Sequence, residues 1–123
     1  MIKEFTFVEL PVKNLERAIS FYKNTLRLEL SHMDEIRHWC LFKIHGSNTG
    51  CALYESTDES INVDCSVRIV VRVESLEETL ETLEKQGVPT EPVRHHQEEH
   101  FRISGFRDPD GHVWRIWAPY DES

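Results

Sequence analysis

The chain has 123 residues, 39% of them hydrophobic, and 14 basic against 22 acidic residues give a net charge of −8. That length suits a single domain, 1–123, able to bury most of its own apolar surface. No apolar run of 18 residues spans a membrane and "MIKEFTF" lacks the regions of a signal peptide, while the acidic balance would repel a phosphate backbone; membrane and nucleic acid are therefore not expected partners.

In chain order, residues 7–12 alternate as a strand, with Val8, Leu10 and Val12 on one side and Phe7, Glu9 and Pro11 on the other. Asn14 then suits a helix N-cap, and Leu15, Ala18, Ile19 and Tyr22 fall on one helical face. Three strands are predicted next, at 28–33, 35–44 and 51–55. The chain then repeats itself. Shifted by 61 positions, "FVELPVKNLERAISFYK" falls on "RIVVRVESLEETLETLE", and Val8, Leu10, Val12, Leu15 and Ile19 meet Ile69, Val71, Val73, Leu76 and Leu80. Val67, Ile69, Val71 and Val73 share one side of the second copy's strand. Ser75 with Glu78 forms a capping-box pattern, and Gly87 ends the second helix. Strands at 88–94, 99–107 and 112–118 complete the copy, and Ala52-Leu53-Tyr54 falls on Arg115-Ile116-Trp117. The expectation is an α+β fold of two tandem βαβββ modules, about 1–60 and 61–123.

Most reactive-looking residues have structural explanations. Asp108, Pro109, Asp110 and Gly111 are turn chemistry: Asp starts the turn, Pro presets φ and Gly accepts a positive φ. "RHHQEEH", with His96 and His100, reads as a solvated loop leading into a strand. His38, His45 and His112 are expected as half-exposed strand residues. Cys40 and Cys51 read as small core residues. With Cys65 they make an odd, unspaced set, as in a reduced cytoplasmic chain. Glu77, Glu78, Glu81 and Glu84 mark a solvated helix face.

Strand parity sorts a second set of residues away from the helices. Phe7, Glu9, Pro11, Ala52 and Tyr54 take that face in the first copy, and Arg68, Val70, Arg72, Val113, Arg115 and Trp117 in the second. Aromatic rings, a carboxylate and three arginines suit the lining of a concave pocket. Arg68 and Arg115 are expected to converge on an anionic group, with Glu9 as an ion-pair partner, and Phe7, Trp39, Tyr54 and Trp117 to supply flat apolar walls. On this reading, truncating Arg115 weakens anion binding at little cost in stability.

The tandem βαβββ pattern, "PVKNLERAISFY" after the first strand and "FRDPDGHVWRIW" near the end resemble the vicinal oxygen chelate superfamily, which holds glyoxalase I, extradiol dioxygenases and the fosfomycin and bleomycin resistance proteins. The resemblance implies curved mixed sheets around a cleft, in a homodimer. It also implies metal ligands in the first and last strand of each half, at positions that here hold Phe7, Ala52, Arg68 and Arg115. Phe and Ala carry no donor atom, and guanidinium has no lone pair to give. The reading is a metal-free, cofactor-free cytoplasmic protein that binds or sequesters a small anionic or aromatic molecule. The alternative is a lyase, isomerase or dioxygenase of the glyoxalase I or extradiol class, with Glu9 as a base.

Overall fold

β-branched and aromatic residues at alternate positions make strands when one face can be buried, and each copy of the repeat meets that condition with its own helix. The computed structural model describes residues 1–59, 63 and 67–120; Cys65 lies outside them. The chain forms two compact units, Met1–Val63 and Asp64–Ser123.

The first unit contains β1 (Phe7–Val12), α1 (Leu15–Ser20), β2 (Glu29–Asp34), β3 (Trp39–Lys43) and β4 (Gly50–Glu55). Its sheet runs β1-β4-β3-β2, with β1 and β4 parallel and the other neighbours antiparallel. Asn14 caps α1 by accepting from the Arg17 amide at 2.9 Å, and the Glu55 carboxylate accepts from the Leu15 amide at 2.8 Å. The last strand therefore fastens the start of the helix. Beyond Ser20 the helix widens into a π-helical segment, Phe21–Thr25, which brings Tyr22 into the core against Phe42 with ring centroids 5.7 Å apart. Leu10, Val12, Leu15, Ala18, Cys40, Cys51 and Leu53 are buried with it. Burial pushes the Cys40 thiol up to about 11, slightly offset by a hydrogen bond from the Leu53 backbone.

The second unit repeats the plan with β5 (Arg68–Arg72), α2 (Leu76–Lys85), β6 (Arg94–His96), β7 (Phe101–Arg107) and β8 (Val113–Pro119), in sheet order β5-β8-β7-β6. Ser75 caps α2 by accepting from the Glu78 amide at 3.2 Å. Past the helix, the Gly87 amide bonds to Glu84 O and the Val88 amide to Leu83 O, a Schellman closure with Gly87 at φ +78°. Leu76, Leu83, Phe106, Trp114 and Ile116 form the core, with Phe106 and Trp114 stacked at 6.1 Å. Arg102 reaches across this face to Glu77 on α2, and that hydrogen bond, more than the accompanying charge, holds the Glu77 carboxyl below its ordinary range.

Each unit is thus a four-stranded mixed sheet with a helix on one face, the α+β arrangement of two βαβββ modules. The repeat extends to single bonds. His38 and His100 both precede the third strand of their unit with positive φ, +52° and +60°. The His38 carbonyl accepts from the Glu55 amide and the His100 carbonyl from the Tyr120 amide, so each turn is tied to the end of the last strand.

Several boundaries differ from the sequence reading. The strand predicted at 88–94 is replaced by the three residues of β6, because Pro89 and Pro92 cannot donate to a ladder. Only a bridge between Thr90 and Phe106 and one bond from the Glu91 amide to Gly105 O survive there. Residues 35–38 form a turn, stabilised by the Arg37 amide on Asp34 Oδ1, so the strand predicted at 35–44 begins at Trp39. His38 and His45 are therefore exposed turn residues, whereas His112 is buried beside Asp108. Val67, expected on the helix side with Ile69, is 57% exposed.

Candidate functional site

The face of each sheet turned away from its helix carries the candidate residues. In the first unit, strand register puts Phe7, Glu9 and Pro11 beside Gly50, Ala52 and Tyr54, and these beside Lys43, Leu41 and Trp39. Trp39 organises the group. Its ring meets Phe7 edge-on at 5.7 Å and His32 at 5.9 Å, and its indole Nε1 donates to Glu9 Oε2 at 2.9 Å. Ala52 is fully buried within this face, and Tyr54 is half-buried opposite Trp39.

In the second unit the equivalent face carries Arg68, Val70 and Arg72 beside Val113, Arg115 and Trp117. Beyond β8 come Arg107, Gly105, Ile103 and Phe101, and then Arg94 and His96. One end is aromatic: Phe101 stacks on His96 at 4.5 Å and meets Trp117 edge-on at 5.9 Å, and Arg72 lies over the Trp117 ring at 5.5 Å. The other end is a concavity of about 430 Å³ lined by Arg68, Glu91, Pro92, Arg94, Arg107, Val113 and Arg115. Its charge is four guanidinium groups against one carboxylate, in a chain that is acidic as a whole.

Arg115 is the fixed member. It is 15% exposed, its Nε donates to Ser104 O at 3.2 Å, and Glu91 Oε2 stands 3.6 Å away. Glu91 is itself pinned: its amide donates to Gly105 O at 2.9 Å, and its carbonyl accepts from the buried Ser104 hydroxyl at 2.7 Å. Gly105 provides the room. A Cβ there would lie 2.9 Å from Glu91 Oε2 and 3.1 Å from the Arg115 side chain. Arg68, Arg94 and Arg107 are exposed around this fixed pair, and Arg107 reaches the Gly111 carbonyl at 3.5 Å.

Arg68 and Arg115, expected to converge on an anion, both line this concavity. Trp117 belongs to the aromatic end, while Phe7, Glu9, Trp39 and Tyr54 lie on the sheet of the other unit. The carboxylate beside Arg115 is Glu91, a residue the sequence reading passed over together with Arg94 and Arg107. Arg115 is also no free-standing side chain. Its truncation removes a hydrogen bond inside the sheet, so a cost in stability is expected beside any loss of anion binding. Arg107 was findable: across the Asp108–Gly111 turn it pairs with Val113, which places it on the face of Arg115. Glu91 sits between two prolines with no periodicity to assign it a face. Asp108, as the turn chemistry requires, accepts from the amides of Asp110 and His112 at 3.0 and 2.8 Å.

Two βαβββ modules, each with a helix on one sheet face and a polar, aromatic opposite face, define a class of proteins. The chain belongs to the Glyoxalase/Bleomycin resistance protein/Dioxygenase superfamily, whose family model matches residues 4–116. It is 23% identical over 120 residues to the uncharacterised protein YraH of Bacillus subtilis (strain 168), covering 89% of this chain and 94% of YraH. Among solved structures it resembles the integron cassette protein HFX_CASS4 from the mobile metagenome of a Halifax Harbour sewage outfall, with TM-score 0.79, 27% identity and coverage of 95% and 99% of the two chains. It also resembles TnmS3, an antibiotic binding protein from Streptomyces sp. CB03234, with TM-score 0.80, 23% identity and coverage of 96% and 97%.

Metal-dependent members of this superfamily raise the question of a divalent ion. The residues do not fit one: Phe7 and Ala52 offer no donor, and Arg68 and Arg115 present fixed positive charge. Among the described residues no group of three or more His, Cys, Asp or Glu side chains is placed to hold a metal.

Proposed function

We propose that this protein binds and sequesters a small anionic molecule, using the arginine-lined face of its second module, without a metal. The observation that carries the reading is the concavity in which Arg68, Arg94, Arg107 and Arg115 outnumber the single carboxylate of Glu91. Guanidinium groups stay protonated at any physiological pH and present paired donors to carboxylate or phosphate. They offer no base or nucleophile, and the one carboxylate in the lining, Glu91, is held beside Arg115, which favours recognition over catalysis. The likeness to TnmS3, an antibiotic binding protein, supports a binding role of this kind. The aromatic group around Trp117, on the same sheet face, supplies a flat surface suited to a ring on the ligand. The protein acts in the cytoplasm as a homodimer; its odd, unspaced set of three cysteines suits a reducing compartment.

The test is direct. Purified protein is assayed for bound metal, for calorimetric and tryptophan-fluorescence response to a panel of aromatic acids and phosphates, and for turnover of the methylglyoxal–glutathione adduct and of catechols. Saturable binding of an anion by metal-free protein, with no turnover, is the expected result. Stoichiometric metal with turnover of either substrate would overturn the proposal in favour of a lyase or dioxygenase.

A further inference from the structure

The concavity in the second module has a property that follows from how Glu91 is held. A carboxylate near four arginines could be incidental if its backbone were free to swing away. Here it is not: the Glu91 amide and carbonyl are both tied to β7, through Gly105 O and the Ser104 hydroxyl, and Ser104 is fully buried. The side chain is delivered to Arg115 across the space left by Gly105. Glu91 is thus a resident anion, tethered beside the most buried of the four guanidinium groups.

Resting on the anion-binding reading above, we propose that the site selects small dianions of the phosphate-monoester type and that Glu91, by occupying Arg115, leaves their recognition to Arg68, Arg94 and Arg107. A single carboxylate on a ligand is matched in kind by the one already present, which is intramolecular and holds its place without loss of translational freedom. A phosphoryl group carries close to two charges and three acceptor oxygens at neutral pH. It can engage Arg68, Arg94 and Arg107, which are exposed around the rim, while Arg115 stays with Glu91. Val113 and Pro92, the apolar members of the lining, suit the carbon attached to the phosphate. Glu91 repels any anion in proportion to its charge, so it lowers the affinity for both ligand classes, and more for the dianion, without cancelling the excess of guanidinium groups.

The experiment titrates phenyl phosphate and benzoate, probes with one ring and different charge, into the wild-type protein, Glu91→Gln and Arg68→Ala, with melting temperatures recorded for each. Wild type should bind phenyl phosphate at least about tenfold more tightly than benzoate, the factor expected of one additional charge-assisted contact. Glu91→Gln, which removes one fixed negative charge, should strengthen phenyl phosphate more than benzoate and so widen the ratio. Arg68→Ala, at an exposed position, should weaken phenyl phosphate about tenfold with its melting temperature unchanged. Equal affinities for the two probes, or a ratio unmoved by Glu91→Gln, would overturn the selectivity while leaving anion binding intact. Binding of neither probe, nor of any acid or phosphate in the wider panel, would overturn both.

Discussion

Gly105 is the glycine of the second module with neighbours closest to where a Cβ would stand, and its lack of a side chain has two separate uses. A Cβ there would sit 2.8 Å from the Trp114 carbonyl on the neighbouring strand, besides closing on Glu91 and Arg115. The first contact is with backbone, which cannot move without disturbing the β7–β8 ladder; the other two are with side chains that can. Gly105→Ala should therefore lower stability by about 1–3 kcal/mol, as overpacking does, and also shift Glu91 away from Arg115. Thermal melting measures the first effect. The benzoate to phenyl phosphate ratio measures the second, and should move as it does in Glu91→Gln. A variant with wild-type stability would mean that the sheet relaxes more freely than this packing implies.

Strands β3 and β4 show how pairing shelters chemistry. Cys40 faces Leu53 and Cys51 faces Phe42 across the ladder, and both thiols are essentially without solvent exposure. The raised Cys40 pKa, about 11, follows from that burial, which disfavours thiolate. In a Cys65→Ser variant, which leaves only these two thiols, an aromatic disulfide reagent should react slowly at pH 8 and at once in denaturant. Fast labelling of the native protein would show that the β3–β4 pair opens readily. These strands were legible in the sequence as elements, although the expected start of β3 at 35 lay in the turn that precedes Trp39. β6 was not. Its expected position fell on a segment where Pro89 and Pro92 remove the donors that a ladder needs, and the apolar pattern gave no warning of it. The site divides in the same way. Arg68 and Arg115 follow from parity on long strands, and Arg107 from register across a recognisable turn. Glu91 is placed by two hydrogen bonds to β7, and such long-range ties leave no local signature.

Charge must be considered over the full chain, because the arginine concavity belongs to a protein with a net charge of −8. The two fields act over different distances. Glu77, Glu78, Glu81 and Glu84 lie on or beside α2, which covers the sheet face shared by Arg102 and Phe106, opposite the face of Arg107 and Arg115. A dianion approaching from solvent meets the net negative field first and feels the guanidinium groups only near contact. The Debye length shortens from about 30 Å at 0.01 M salt to about 10 Å at 0.1 M, which screens the distant acidic charges more completely than contacts a few ångströms away. Added salt should therefore raise the association rate of phenyl phosphate over that range, the reverse of the usual behaviour of a charge-steered site. The dissociation rate should rise as well, because the short-range attraction is partly screened. Stopped-flow tryptophan fluorescence between 0.01 and 0.1 M salt separates the two rates. An association rate that falls with salt would mean that the arginines, rather than the acidic surface, dominate the field at the mouth of the site.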